Sequence, residues 1–269
     1  MGTALGARGL RIGLECPEAW NVDRAADVAT VLRGYVDAGA DVLQTNTFGG
    51  NRVRLAAWGR AADVRKLNIA GAHLARELRR PEMKIVGSVG PSGLLAPPDG
   101  DADLAMLEDA FAEQAIALAE GGCDLLHLET FYHPKELRAA LRGVRLGAPG
   151  LPVVASMTCQ RGPSGYTTTL GYPPELMLAV AEEERADGVG VTCTLAPADL
   201  VPLIEFLRAR TDRPIWARPT VAPVNAPPLL PGEVADGALA LWASGADAVG
   251  CCCGSHAPDI AALRSARPS

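Results

Sequence analysis

Residues 37–48 read DAGADVLQTNTF: a small-residue turn, an aspartate, a short apolar run and a polar end follow one another within a dozen positions. Glycine accepts the left-handed backbone that closes a helix, so Gly39 reads as a helix stop. The apolar run behind it is too short for a helix and suits a buried parallel strand. The same punctuation returns as EGGCDLL at 120–126 and ASGADAV at 243–249. Helices that stop and give way at once to buried strands mark repeated βα units around a parallel sheet. A closed barrel and a doubly wound sheet would both show that rhythm.

Working outward from these three points, seven strands are expected at 41–48, 84–90, 124–130, 151–158, 188–194, 214–220 and 247–253. Apolar residues at helical spacing predict helices over 25–38, 61–79, 104–120, 135–144, 174–185, 198–210, 232–244 and 258–266. The reading is an α/β chain forming one domain over 1–269 with seven strands and not eight; the three like punctuations support a TIM-type (βα)8 barrel, although a doubly wound sheet would show them too. Polar residues gather where these strands end: Gln44, Asn46 and Thr47; Glu129 and Thr130; Thr158; Cys193; Thr220; Cys252 and Cys253. In a barrel those ends form one face, where active sites are assembled from several strands. The Pro-rich stretches 90–99 and 219–231 are expected as loops over the same face.

Composition narrows the function. The 269 residues are 48% hydrophobic, enough for one large core. A formal charge of -6, with no basic stripe, argues against nucleic acid as a partner. No run approaches the roughly 20 apolar residues of a membrane span, and the first residues do not resemble a signal segment, so a cytoplasmic location is expected. Seven cysteines, three of them consecutive at Cys251, Cys252 and Cys253, make poor geometry for structural disulfides.

Clustered thiols in a reducing compartment point instead to metal or catalysis. Cys193 ends one strand, and Cys252 and Cys253 end another two strands later around the barrel. Three thiolates can take three corners of a tetrahedron around zinc and leave the fourth open for water or substrate. A thiol entering that corner becomes a thiolate nucleophile. The competing reading is that these cysteines pack as small hydrophobes, which is the reading favoured for the isolated Cys16, Cys123 and Cys159. Cys251 competes with its neighbours as a ligand, although strand alternation favours the later pair.

The segments QTNTFGGNRVRL (44–55), GSVGPSG (87–93), DLLHLET (124–130), GVGVTC (188–193) and GCCCGSHAPDI (250–260) together resemble the homocysteine S-methyltransferase family over nearly the whole chain. The resemblance implies a zinc-dependent methyltransferase acting on the thiol of homocysteine to give methionine. By it Cys193, Cys252 and Cys253 are the zinc ligands, and Glu129 meets the amino group of the acceptor. Gln44 matches the glutamine of betaine-using members, and Thr45, Asn46 and Thr47 orient the strand end. Gly90 and Gly93 let the backbone approach substrate. His127, on the side of Glu129, is read as a core histidine or a pocket residue.

Three departures stand out. The family's first strand ends in Asp-Gly before a segment like Met1-Gly2-Thr3, and nothing precedes that segment here. Either translation starts upstream or the barrel is open, and an open edge favours association into a homo-oligomer. A PNAG-like turn appears as Pro219, Thr220, Val221 and Ala222, and the asparagine before the first zinc cysteine is Thr192. The expected donor is a small sulfonium or ammonium compound resembling S-methylmethionine or betaine. The alternatives are a separate methylcorrinoid protein as donor and a degenerate zinc-binding barrel with a non-catalytic role. An aldolase-like barrel is disfavoured, because Lys84 starts its strand and faces the wrong end.

Overall fold

The computed structural model describes residues 1–163, 165–223 and 226–268. The chain opens with α1 (Gly2–Gly6), a 3-10 turn (Pro17–Ala19), α2 (Trp20–Asp23) and α3 (Ala25–Asp37). Then follow β1 (Val42–Gln44), α4 (Arg52–Ala56), a second 3-10 turn (Ala61–Asp63), α5 (Val64–Leu78), β2 (Lys84–Val89) and α6 (Leu104–Glu120). The middle holds β3 (Leu125–Phe131), α7 (Pro134–Gly147), β4 (Val153–Met157), a hairpin of β5 (Gln160–Gly162) and β6 (Gly165–Thr167), and α8 (Pro174–Glu183). It closes with β7 (Gly188–Cys193), α9 (Pro197–Arg208), β8 (Ile215–Pro219), α10 (Pro231–Ala243), β9 (Ala248–Val249) and α11 (Ala257–Ala266).

All seven expected strands form, and they make one parallel sheet in the order β1-β2-β3-β4-β7-β8-β9. It is a curled sheet of barrel type with an opening where an eighth strand would lie. Several strands are shorter than expected. Residues 45–48 and 250–253 leave the ladder and carry their polar groups as loop. The hairpin β5-β6 and the short helices α1, α2 and α4 were not expected from the sequence.

The punctuation that decided the fold has a clear physical basis. Gly39, Gly122 and Gly245 all take positive φ. The next N–H in each turn reaches back five residues, from Ala40 to Tyr35 O, Cys123 to Leu118 O and Ala246 to Leu241 O. That is the bond pattern of a glycine-closed helix end. The aspartate then ties two units together. Asp124 accepts the Ile85 N–H at 2.7 Å and meets Arg79, and Asp247 accepts the Ile215 N–H at 2.8 Å and meets Arg208. Asp187 does the same for Val153 and Arg145.

Asp41 shares in this scheme from the other side of the opening. It pairs with Arg264 at 3.0 Å and Arg267 at 2.7 Å, so the end of α11 is joined to the start of β1 although no strand lies between. Gly34 of α3 lies beside Ala257 of α11, and Thr3 of α1 accepts the Gly254 N–H at 3.0 Å. The opening is thus bridged by helices. The exposed ion pairs contribute little individually.

Alternation along the strands sorts the interior. Leu126, Leu128, Val153, Ala155, Ile215 and Ala217 point outward into the helix layer and belong to the main core. Their neighbours His127, Glu129, Ser156, Trp216 and Arg218 point into the barrel. The interior therefore carries the polar groups.

Candidate functional site

The three thiols come together at the C-terminal face. The sulfurs of Cys193, Cys252 and Cys253 all lie within 4.8 Å of one another, with Cys193 Sγ and Cys253 Sγ 3.3 Å apart. Cys193 ends β7 with φ of 68°, a left-handed backbone that side-chain-bearing residues seldom adopt and that marks a locally constrained position. Cys252 and Cys253 lie just beyond β9, in a loop fastened from two sides. Cys252 N–H donates to Pro219 O at 2.8 Å, Val221 N–H donates to Cys253 O at 2.9 Å, and Ser255 Oγ donates to Cys252 O at 2.7 Å. The loop is held by β8, so the thiols have little freedom to part.

Cys251 turns the other way and is buried among Val221, Val234, Ala238 and Leu263. Its thiol is pushed up to about 12 by burial. Cys123 and Cys159 are also buried within apolar surroundings, and Cys16 is buried with its thiol donating to Glu18 Oε2 at 3.5 Å. The Cys252 thiol is pushed up to about 11 by its hydrogen bond with Cys193 and by burial. Left to themselves these thiols keep their protons, as a thiolate cluster without a cation would repel itself.

The donor set suits zinc. Three thiolate sulfurs at about 2.3 Å from one tetrahedral ion would lie about 3.8 Å from each other, inside the spread found here. Cys193 and Cys252 are half-buried and Cys253 is exposed, so the cluster faces the mouth of the barrel.

Beside the thiols, one buried network joins four strands. Glu129 on β3 accepts from Ser88 Oγ on β2 and from Gln44 Nε2 on β1 through Oε1, and from Arg218 Nη1 on β8 at 2.6 Å through Oε2. Arg218 Nη1 also donates to Gln44 Oε1 at 2.6 Å, and its Nη2 donates to Cys251 O at 3.2 Å. Burial pushes the Glu129 carboxyl up, but the guanidinium of Arg218, with help from the Ser88 hydrogen bond, outweighs it and holds the group below the usual carboxylate range. Neither Arg218 nor Ser88 stood out in the sequence. The available signal was the alternation of β8, which places Arg218 on the inward face with Trp216.

The other expected residues serve the framework. Thr45 Oγ1 accepts the Ser88 N–H at 3.0 Å and sits 2.6 Å from Thr47 Oγ1, while Thr47 Oγ1 donates to Ser88 O at 2.8 Å. Asn46 donates to Pro17 O at 2.8 Å and to Asn21 Oδ1 at 3.0 Å, binding the end of β1 to the N-terminal helices. At Gly90 the close neighbour is the ring of Phe48, which a Cβ there would strike. Thr192 Oγ1 accepts the Thr130 N–H at 2.8 Å, steadying the kink that follows Glu129. His127 is fully buried, shares a 2.7 Å hydrogen bond with Ser156 and packs edge-on against Trp216. Of the expected residues, Gln44 and Glu129 share the Arg218 network, and Thr45, Asn46 and Thr47 brace it.

A family model described as homocysteine S-methyltransferase matches residues 1–267. The methionine synthase of Mycobacterium tuberculosis is 33% identical over 97% of this chain, and that of Mycobacterium leprae 32% over 93%. The chain spans about a quarter of the length of these relatives, 24% and 22% respectively. Among solved structures, the metallated form of the homocysteine methyltransferase MmuM from Escherichia coli superposes with a TM-score of 0.81 at 23% identity, covering 98% of this chain and 93% of that one. Its apo form gives 0.77 at 22% identity, covering 99% and 93%. At these identities the likeness speaks for the fold.

Proposed function

The chain belongs to the homocysteine S-methyltransferase family, and from that premise we propose that it transfers a methyl group to the thiol of homocysteine, forming methionine, with zinc held by Cys193, Cys252 and Cys253. The observation that carries the reading is the convergence of those three sulfurs at the mouth of the barrel, next to a buried polar network. Zinc held by these three thiols would supply a cation that favours the deprotonated form of an acceptor thiol, the form that attacks a methyl group.

The chain's own residues do the rest. Cys193 on a constrained backbone and the Cys252-Cys253 loop pinned to β8 keep three donors in one place, so little ordering is left for the moment of binding. The carbon skeleton of the acceptor lies toward Gln44, Glu129 and Arg218, which fix its charged end while its sulfur faces the thiol cluster. The acceptor's proton leaves to solvent, the new S–CH3 bond forms as the donor's bond to that methyl breaks, and the donor departs neutral if it was a sulfonium or ammonium cation. No acid-base pair is needed, because a thiolate and a cationic methyl donor already carry the required charges.

S-methylmethionine-like or betaine-like donors are the first reading. A methyl group brought by a separate corrinoid protein is the second, favoured by the higher identity to the methionine synthases than to the Escherichia coli enzyme. The test is a donor screen with homocysteine, following methionine. One donor class is expected to give product with the wild type and none with Cys252→Ala; absence of methionine with every donor, or full activity in Cys252→Ala, refutes the proposal.

A further inference from the structure

An acceptor with its sulfur at the thiol cluster and its charged end at Glu129 spans two strand ends that are not neighbours in the sheet: β7 carries Cys193 and β3 carries Glu129, with β4 between them. Whatever fixes the separation of those ends fixes the length of chain that fits. Each anchor stands at a left-handed backbone. Cys193 itself has φ of 68°, and Thr130, which follows Glu129, has φ of 65°. A β-branched residue persists in that region only where its surroundings hold it.

The sheet does not hold Thr130. Leu128 of β3 lies opposite Ala155 of β4, and the next pair is Phe131 with Met157, so β3 carries one extra residue over this step. A bulge of this kind re-aims a side chain at the expense of ladder bonds. The Thr130 N–H donates instead to Thr192 Oγ1 at 2.8 Å, and that hydroxyl also lies 3.2 Å from Thr130 Oγ1. Thr192 is fully buried, sits in register with Arg218 on β8, and is followed directly by Cys193. One hydroxyl therefore ties the bulge behind Glu129 to the strand end that presents a thiol.

We infer that Thr192 is a positioning residue that sets the distance between the thiol cluster and Glu129, and through it the acceptor's chain length. Thiols with two methylene groups between sulfur and the amino-bearing carbon are taken, and those with one or three are disfavoured. This rests on the acceptor-thiol reading above.

The test is calorimetry on zinc-loaded protein with cysteine, homocysteine and 2-amino-5-mercaptopentanoate, which differ only in that chain. With a well-placed charged contact worth about one decade in affinity, the wild type should bind homocysteine roughly tenfold or more tighter than either neighbour. Thr192→Val keeps the shape and leaves the Thr130 N–H without its acceptor, so homocysteine should weaken roughly tenfold and the three thiols should fall within about threefold of one another. Thr192→Ala carries the same expectation should the Val variant not fold, and Thr192→Ser, which keeps the hydroxyl, should retain the wild-type order. Zinc content should be the same in every variant. A merely structural role would weaken all three thiols alike; that result, or equal binding of the three by the wild type, overturns the inference while leaving thiol binding intact. Failure of every thiol to bind the zinc-loaded wild type overturns the underlying reading as well.

Discussion

Arg218 and Glu129 face one another inside the barrel because alternation on β8 and β3 turns both inward. Burying such a pair is tolerable only when the remaining hydrogen-bond capacity is met, and Gln44 and Ser88 meet it. His127, one layer deeper on β3, has a different fate. Burial, aided by the charge of Arg218, lowers its pKa to about 4, so it is neutral in the folded chain. An unfolded chain binds the proton near pH 6.5, so this contribution to stability is complete above that pH and drains away as the pH falls toward 4. Between pH 7 and pH 5 the wild type should lose about 2 kcal/mol more than His127→Gln, measured by urea unfolding of both proteins at the two pH values. Parallel losses would place the proton elsewhere.

Elements assemble by close approach of backbones as much as by side-chain packing. A Cβ at Gly143 of α7 would lie 3.0 Å from Phe111 Cβ and 3.1 Å from Ala112 N, both on α6. Alanine normally gains about 1 kcal/mol over glycine within a helix, but overpacking here costs about 1–3 kcal/mol and reverses the sign. Gly143→Ala should lower the thermal midpoint, whereas Gly232→Ala in α10, with nothing within 4 Å, should leave it unchanged or raise it. A stabilised Gly143→Ala would mean the helices part more easily than the packing implies. The same local physics governs what could be read in advance. The strands were legible because glycine stops and aspartates flank them with apolar runs between. The hairpin was not, because Gln160–Gly162 is exposed throughout and shows no alternation. The helices α1, α2 and α4 span only four or five residues, too few for a period to register. Cys193 could be matched with Cys252 and Cys253 because strand ends converge in a barrel. Arg218 could not be matched with Glu129, 89 residues earlier, since one charge inside a strand reads as a solvent-facing residue until its partner is seen.

The whole molecule is a curled parallel sheet whose first and last strands are bridged by helices, with α11 reaching α3 and Asp41 across the opening. None of the described helices is long and apolar enough to cross a membrane. The polar network and the thiols share one end of this frame, and the proposed chemistry requires the thiols to act as a single metal site. Elemental analysis after exhaustive dialysis of zinc-loaded protein tests this most directly. About one zinc per chain should remain with the wild type and almost none with Cys252→Ala, as expected when three thiolates supply the protein's ligands. A wild type that emerges free of metal, or a Cys252→Ala protein that retains as much as the wild type, would contradict it.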